Sequence, residues 1–480
     1  MTMHARLTRI MLGAALTVGL AAAAAPSAWA APGDWTQLSQ TSSATAYPRI
    51  SNTSEPTMAR FGDSLQVLWS QSQSPSGQAY FTSVLDTAGN VVTPASQVFP
   101  DWSTVTANPT LLNLAGQRFL SFSGLNPGRS GAQYFATSAD GLSWSVSSGS
   151  MSETQSAYAD YGSDAIDNAG TPVWVGNAGT TTGIRWHVGT SDANPAPAGS
   201  DQKYALAGCC AYSAAAARDE ATGAAYAAFY SNSGATTENG INVGQILPTS
   251  ANWRQAPGST DIQNGRAASI STDQEVAMVG RPGGGVYVAY SVGYPSVKLI
   301  RVYNVVSGAT MDVPGSSGAR AIAMSAEPDG RLWVTWRSGT KIKAVHTNAA
   351  ASRFGSVGTW GSPPGTEFLW KTAIDGTSGG ASVVITATTQ NAINAWHTNV
   401  ARTLTLTASP TSVRRGGNVK FTVTDAGDAV AGAKVKFGGR TRTTNAAGKV
   451  TIRAPGSRGT VTVTAKKDAY NPGATRVRVR

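Results

Sequence analysis

The feature that most constrains this chain is a short apolar and aromatic segment that recurs at a near-constant interval. Its clearest copy, Val286-Tyr287-Val288-Ala289-Tyr290-Ser291, follows a run of three glycines. The steps between equivalent positions are 53, 54, 54, 60, 46 and 50 residues, taken at Trp69, Phe122, Gly176, Tyr230, Tyr290, Trp336 and Thr386. Repeats of this length with strand-like chemistry are typical of a β-propeller, whose blades are small sheets around an axis. The sequence therefore predicts an all-β fold with seven blades.

Each repeat is predicted to begin with an inner strand beside the central channel, as at 56–60, 109–113, 276–280 and 321–325. A turn with Gly, Asp or Asn leads to the aromatic strand, and a strand with alternating apolar positions follows. The isolated segment 34–39 resembles the last part of several repeats, and the seventh repeat lacks such a part. We therefore expect the N-terminal strand to complete the last blade and close the ring.

The two ends of the chain differ from the repeats. Residues 1–30 have the pattern of a secretory signal peptide, with Arg6 and Arg9 before an apolar run and Ala28-Trp29-Ala30 as a cleavage pattern. We therefore expect a secreted, extracellular protein that does not span the membrane, with the propeller over 32–400. Several short strands separated by glycine turns predict a small β-sandwich over 402–480.

The positive charge is concentrated in this last part. Residues 402–480 contain 16 Lys and Arg against 3 Asp and Glu, whereas the rest of the chain has 21 against 23. A basic module on an exported protein favours binding to an anionic polymer of the cell envelope. The alternative is a charged face that only keeps the protein soluble. No motif supports nucleic acid binding, and we expect a monomer.

Two segments resemble known families. The stretch from Ser138 to Trp144 resembles the Asp-box of sialidase-like propellers, Ser-x-Asp-x-Gly-x-x-Trp, with one residue missing before the glycine. In that family the box is structural, so the resemblance implies that Asp140 holds a turn and that Trp144 packs between blades. The segments 430–435 and 443–448 resemble bacterial immunoglobulin-like and carboxypeptidase-regulatory-like modules. This second resemblance implies a spacer or attachment role for the C-terminal sandwich.

The sialidase resemblance also implies a binding site at one end of the channel. Sialidases hold the substrate carboxylate with three arginines. Arg49, in Tyr47-Pro48-Arg49-Ile50, resembles the arginine of the family's opening segment, and Arg266 and Arg320 also precede inner strands. The loop 70–77 has no acidic residue where the family keeps its general acid. The three arginines are therefore predicted to bind an acidic sugar, or simply an anion without catalysis.

A polar cluster at the start of the third repeat supplies candidate catalytic residues. It consists of Tyr158, Asp160, Tyr161 and Asp164. Carboxylates beside tyrosines can transfer protons in a glycoside hydrolase or a polysaccharide lyase when the site raises one pKa. The alternative is a polar loop between blades.

The only two cysteines, Cys209 and Cys210, are adjacent. In an exported protein they are expected to be oxidised, and neighbouring cysteines close only a strained ring. Such a disulfide would stiffen the loop before the fourth inner strand or offer a ligand a platform. His187, His346 and His397 lie in third strands of different repeats, which a ring of blades would spread apart. No metal site and no cofactor are therefore predicted.

Two functions from different classes follow. The first is a secreted sialidase-like propeller that acts on or binds extracellular glycans, possible reactions being hydrolysis or elimination on acidic sugars. The second is a non-catalytic adhesion or envelope-binding protein. A carboxylate within hydrogen-bonding reach of a Tyr or Arg in a deep mouth favours the enzyme. A shallow mouth lined with Ser, Thr and Ala favours binding alone.

Overall fold

The computed structural model describes residues 34–39, 56–73, 77–104, 109–126, 129–148, 162–177, 183–189, 202–205, 211–231, 238–260, 276–389 and 392–480. These residues form 39 β-strands and no α-helix, so the prediction of an all-β fold is confirmed. In this part of the chain, no helix has the length and apolar character needed to cross a membrane.

Seven antiparallel sheets follow one another before residue 404, and we number them in chain order. Sheet 1 contains β2 (Thr57–Phe61), β3 (Ser64–Gln73), β4 (Gly77–Leu85) and β5 (Val91–Val98). Sheet 2 contains β6 (Ser103–Thr104), β7 (Thr110–Leu114), β8 (Gln117–Asn126), β9 (Arg129–Ser138) and β10 (Ser145–Val146). Sheet 3 contains β11 (Ser163–Asn168), β12 (Thr171–Asn177), β13 (Gly183–Val188) and β14 (Gln202–Ala205).

In each of the next three sheets, four consecutive strands lie side by side in chain order. Sheet 4 contains β15 (Ala211–Arg218), β16 (Ala225–Ser231), β17 (Gly240–Leu247) and β18 (Ala251–Gln255). Sheet 5 contains β19 (Val276–Gly280), β20 (Val286–Val292), β21 (Leu299–Asn304) and β22 (Thr310–Asp312). Sheet 6 contains β23 (Arg320–Ala326), β24 (Leu332–Ser338), β25 (Lys341–His346) and β26 (Gly358–Trp360).

Sheet 7 combines the end of this region with its beginning. It contains β27 (Thr366–Thr377), β28 (Gly380–Thr389), β29 (Ala392–Thr403) and the N-terminal strand β1 (Thr36–Gln37). β1 pairs antiparallel with β29, with Thr36 opposite His397. Next to β1, the buried side chain of Leu38 packs in a cluster with Trp69 of sheet 1 and Val384 of sheet 7. Segments far apart in the sequence therefore share one seam.

The apolar repeats explain why the second strand of each sheet is its centre. In sheet 2 the short β6 precedes the inner strand, so we count β7 as its first strand and β8 as its second. All seven equivalent positions, from Trp69 to Thr386, then fall in second strands. In β20 every residue is buried, because this strand lies between two others and both of its faces are covered. The first strands pack side by side in the order β2, β7, β11, β15, β19, β23 and β27, and β27 also contacts β2. They surround a common cavity.

The chain beyond Thr403 forms two sheets around a separate core. One sheet contains β30 (Thr405–Ser409), β32 (Asn418–Asp425), β33 (Asp428–Ala429) and β36 (Lys449–Arg453). The other contains β31 (Ser412–Val413), β34 (Lys434–Phe437), β35 (Arg440–Thr443), β37 (Gly459–Lys466) and β39 (Gly473–Val479). Phe421 and Phe437, one from each sheet, meet edge to face with ring centroids 5.3 Å apart. We call residues 404–480 the C-terminal unit.

The C-terminal unit is joined to sheets 6 and 7 by polar contacts that are largely buried. A short strand, β38 (Tyr470–Asn471), pairs in parallel with the end of β29. The Asp428 carboxylate accepts hydrogen bonds from Arg331 and, over 2.9 Å, from the backbone N–H of Ala349. His346 Nε2 lies 3.1 Å from Asp425 Oδ1, and both side chains are buried. The joint lies at the end of sheet 6 where β23 turns into β24.

Candidate functional site

The first strands of all seven sheets line one cavity of about 180 Å³. Its walls are mostly small or apolar, with alanines, threonines, serines and methionines supplied by successive first strands. Among the described residues that line the cavity, Asp164 of β11 is the only ionisable one. Its carboxylate therefore lies in the wall of a narrow channel.

Asp164 holds three neighbouring first strands together. Its Oδ1 accepts hydrogen bonds from Thr110 Oγ1 of β7 (3.1 Å) and from the N–H of Ala165 (2.8 Å). Its Oδ2 accepts one from the N–H of Ala216 in β15 (2.9 Å). The Asp164 side chain is half-buried, and the neighbouring strands enclose its carboxyl group. This burial raises the carboxyl pKa to about 6, although the three hydrogen bonds act to lower it.

The same position in other sheets carries a hydroxyl with a similar task. Thr57, Thr110 and Asp164 lie opposite Leu68, Ser121 and Val175, which are equivalent positions of the second strands. Thr57 Oγ1 accepts a hydrogen bond from the N–H of Leu111 (3.0 Å), so it too links neighbouring first strands. Asp164 is thus the acidic version of a repeated link. Its catalytic role stays a prediction.

Most of the other predicted site residues lie outside the described residues. These are Arg49, Tyr158, Asp160, Tyr161, Arg266, Cys209 and Cys210. The structure therefore brings none of them to a stated position, and their predicted roles stay predictions. Within the part of the chain that is described, no group of three His, Cys, Asp or Glu residues can hold a metal ion.

Arg320 is described, and it is the first residue of the first strand of sheet 6. Its Nη1 donates to the backbone oxygen of Ala319 (2.8 Å), and its Nη2 donates to that of Pro295. The guanidinium carbon lies 5.1 Å from the ring centroid of Tyr294, a cation–π contact. Arg337 lies directly opposite Arg320 in β24. Two arginines are therefore paired across neighbouring strands at this end of sheet 6, with the Arg320 guanidinium against Tyr294.

An aromatic pair from sheet 7 lies beside Arg337. Phe368 and Trp370, near the start of β27, have ring centroids 4.5 Å apart at 59°. Arg337 Cζ lies 4.6 Å from the Phe368 ring centroid, and Arg337 Nη1 donates to the backbone oxygen of Leu369 (2.6 Å). Trp370 Nε1 donates to Thr388 Oγ1 (2.8 Å), which fixes the indole. Phe368 itself is 43% exposed.

We call this group the mouth shelf: Tyr294, Arg320, Arg337, Phe368 and Trp370. β23 and β27 both begin at this end and run past the cavity, so the shelf lies at one mouth of the channel. Arg320 was predicted from the sequence as a binding residue, and the aromatic pair was not. The signal was the run Phe368-Leu369-Trp370 shortly before the seventh apolar segment, at a place where the other repeats begin their inner strand.

The Asp140 carboxylate is used in a turn and not in the channel. Its Oδ1 accepts hydrogen bonds from Ser138 Oγ (3.0 Å) and from the N–H groups of Leu142 and Ser143 (both 2.8 Å). The backbone hydrogen bonds are the main reason that the pKa of Asp140 falls to about 2. Gln66 Nε2 of sheet 1 donates to the Gly141 oxygen (2.8 Å), so the turn also joins sheets 1 and 2.

The described residues thus define an all-β protein whose sheets surround a channel with an aromatic and cationic mouth. No protein-family model matches the chain, and no curated protein matches it. Among solved structures, it is similar to the polysaccharide lyase Uly1, with 8% identity, a TM-score of 0.45 and coverage of 74% of this chain and 91% of that one. It is also similar to the β-propeller domain of the Trilobed protease from Pyrococcus furiosus, with 8% identity, a TM-score of 0.40 and coverage of 72% and 97%. Arabinanase Arb43A of Bacillus subtilis aligns with 12% identity, a TM-score of 0.29 and coverage of 72% and 94%.

Proposed function

We propose that the seven sheets are the blades of a β-propeller that β1 closes, followed by an immunoglobulin-like sandwich. The pairing of β1 with β29 and the packing of β27 against β2 support a closed ring. The two sheets of the C-terminal unit around a shared core support the sandwich. The hydrogen bonds that Asp140 accepts support reading its turn as a counterpart of the Asp-box. The signal-peptide pattern of residues 1–30 supports secretion.

We further propose that the protein binds an extracellular glycan at the mouth shelf. The observation that carries this proposal is the exposed ring of Phe368 next to Trp370. Among the described residues, Phe368 is the only aromatic one of the exposed large hydrophobic side chains. A sugar ring has an apolar face of C–H groups that packs on an aromatic ring, while its hydroxyl groups bond to polar groups at the edge.

The two arginines of the shelf favour acidic sugars. Arg320 and Arg337 are paired on neighbouring strands at the mouth, with the Arg337 guanidinium against Phe368 and the Arg320 guanidinium against Tyr294. A guanidinium group next to an aromatic platform attracts a carboxylate and can bind it through two N–H groups. An acidic sugar that packs on Phe368 would therefore carry its carboxylate toward Arg337. The preferred ligand is a glycan that contains uronic or other acidic sugars.

The channel geometry favours binding over catalysis. Among the described residues, the carboxylate in the channel wall, Asp164, bonds to Thr110 and to backbone N–H groups, and none of these partners is a Tyr or Arg. Small or apolar side chains line the rest of the described wall. Proton transfer by Tyr158, Asp160 and Tyr161 stays a prediction. A polysaccharide cleavage screen can test it together with binding.

The test is a binding and cleavage screen of the secreted protein against acidic and neutral polysaccharides. We expect retention of an acidic polymer, with binding weakened about tenfold, or ~1.4 kcal/mol, by Phe368→Ala. Val306→Ala is the matched control, because Val306 is also exposed (51%) but lies in the turn after β21, at the other end of the channel. Equal binding by the Phe368→Ala variant and the wild type would contradict the proposal that the glycan binds at the mouth shelf. Release of shorter products would show an enzyme.

A further inference from the structure

A second surface of the molecule carries an unusual distribution of charge. The sheet of β31, β39, β37, β34 and β35 covers the core of the C-terminal unit with one face and exposes the other. Along β39, Val477 and Val479 are buried while Arg476 and Arg478 are exposed. This alternation follows from the pleat, which directs successive side chains to opposite faces. The exposed positions of the sheet therefore form one continuous surface.

We call this surface the basic face. Its cations and hydroxyl groups are Lys434, Lys436, Lys466, Arg476 and Arg478, with Thr441, Thr443, Thr460, Thr462 and Thr464 between them. None of the five strands contains Asp or Glu. The basic face thus has five positive charges and no negative charge within its own sheet.

The acids of the C-terminal unit lie elsewhere. Asp425 and Asp428 face the joint with sheet 6, where Arg331 and His346 contact them. Asp468, the third, lies in the turn between β37 and β38. The fold therefore separates the charges of the unit, with two of its three acids at the joint and the basic face open to solvent.

The register places two of the cations against each other. Lys434 and Lys466 are directly opposite in the pairing of β34 with β37. Directly opposed residues in antiparallel strands have Cβ atoms about 5 Å apart, and like charges at such positions destabilise the sheet. A polymer with regularly spaced negative charges would remove this repulsion. The opposed lysines therefore point to a ligand that neutralises them.

We propose that the basic face binds a linear acidic polysaccharide with carboxylate groups, independently of the mouth shelf. The four strands that carry these residues, spaced ~4.8 Å apart, give a surface about 14 Å wide, enough for a few sugar units. Arg476 and Arg478 can each bind a carboxylate through two N–H groups. The threonine hydroxyl groups can form hydrogen bonds with sugar hydroxyl groups. The face has no aromatic ring on which a nucleic acid base could stack.

The two surfaces belong to different ends of the molecule. The C-terminal unit meets sheet 6 at Arg331, where β23 turns into β24, whereas the mouth shelf lies at the opposite end of these strands. A polymer held on the basic face therefore leaves the channel mouth open. Binding at the two surfaces is separable by mutation.

The test compares two triple variants of the full chain that lose the same charge. Lys434→Gln/Lys466→Gln/Arg476→Gln removes charge from the basic face. Lys420→Gln/Lys449→Gln/Arg453→Gln removes it from the exposed side of the other sheet. The probes are polygalacturonate, a neutral dextran and a DNA duplex. We expect the first variant to bind polygalacturonate at least tenfold more weakly and with less dependence on salt, and the control to stay within threefold of the wild type.

Three results would overturn the proposal: no binding of polygalacturonate, equal weakening in both variants, or DNA binding that is as tight and as sensitive to the first variant. Thermal unfolding gives an independent measurement that does not depend on the triple variant. Lys466→Gln alone is expected to unfold at a slightly higher temperature than the wild type, because it removes the opposed charges. Polygalacturonate should then raise the unfolding temperature of the wild type more than that of Lys466→Gln, and an equal rise would contradict the proposal. Because Phe368→Ala leaves the basic face intact, failure of the mouth shelf and failure of this face are distinguishable.

Discussion

Arg402 Nε donates a hydrogen bond to Glu327 Oε1 over 3.1 Å, and the two side chains are 8% and 0% exposed. Arg402 follows the last β28 pairing partner of β29, and Glu327 begins the turn between β23 and β24. Trp333 Nε1 donates to the same carboxylate oxygen (2.5 Å). Burial raises the pKa of Glu327, and its contacts with Arg402 oppose this effect. Arg402 Nη1 also lies 3.7 Å from Asp425 Oδ2 of the C-terminal unit, so this pair links the unit to sheets 6 and 7.

Loss of the Arg402 guanidinium should uncouple the two parts of the molecule. In Arg402→Met, Glu327 keeps its burial but loses its charged partner, a change that costs about 3 to 5 kcal/mol. We expect the C-terminal unit to unfold in a separate, earlier transition in thermal denaturation. Arg480→Met is the control, since Arg480 is exposed and its side chain donates a hydrogen bond to Ser412, within the C-terminal unit.

The double variant Glu327→Gln/Arg402→Met separates a lost ion pair from lost packing. It removes both charges, so it should be less destabilised than Arg402→Met alone. Equal unfolding of Arg402→Met and the wild type would show that the joint does not depend on this pair.

Leu38→Ala should weaken the seam between sheets 1 and 7. Leu38 is buried against Leu65, Val67 and Val384, so truncation leaves a cavity that costs about 2 to 5 kcal/mol. We expect a lower urea midpoint with an unchanged slope. Val92→Ala, at an exposed position of β5, should stay within ~0.5 kcal/mol of the wild type. Similar midpoints for both variants would mean that the N-terminal segment adds nothing to the seam.

Gly280 is needed because the first strands of sheets 4 and 5 approach closely. A Cβ atom at Gly280 would lie 2.0 Å from the backbone oxygen of Arg218, which cannot move without its strand. Gly280→Ala is therefore expected to destabilise the protein by about 1 to 3 kcal/mol in denaturant unfolding. At Gly361 a Cβ atom meets nothing within 4 Å, so Gly361→Ala is the control. A tolerated Gly280→Ala would contradict the close packing of these strands.

Asp164 should make stability depend on pH. Its folded-state pKa of about 6 lies above the ordinary value of 3.8, so its protonated form is favoured in the fold. The stability that the protonated Asp164 adds to the folded state is fully present below pH ~4 and is lost as the pH rises through 6. The wild type should therefore gain unfolding temperature relative to Asp164→Asn as the pH falls from 7 to 4. A constant difference across this range would contradict the raised pKa.

The strand repeats could be predicted because a strand that is buried on both faces appears in the sequence as a continuous apolar run. Tyr290 and Trp336 lie in second strands whose apolar runs need no knowledge of their partners. Arg320 was expected just before an inner strand and is the first residue of β23. These features depend on residues that are near each other in the sequence.

The mouth shelf and the joint could not be predicted in the same way. Phe368 packs against Arg337, which comes from another sheet, and Glu327 is paired with Arg402, 75 residues later in the sequence. An ion pair of this kind has no period and no motif, and only the packed sheets bring its partners together. The same holds for Asp164, whose link to Ala216 requires the neighbouring sheet.

The 12-residue strand β29 has a mechanical consequence. It pairs with β28 along most of its length and then with β38 through Arg402 and Thr403, so one continuous strand enters both parts of the molecule. A pull on the C-terminal unit acts along this strand, and the ladder bonds of sheet 7 run across it. The force would load these bonds together in shear, not one after another. Tension on a tethered molecule would thus pass along the last sheet toward β1, and through the joint it would also load sheet 6.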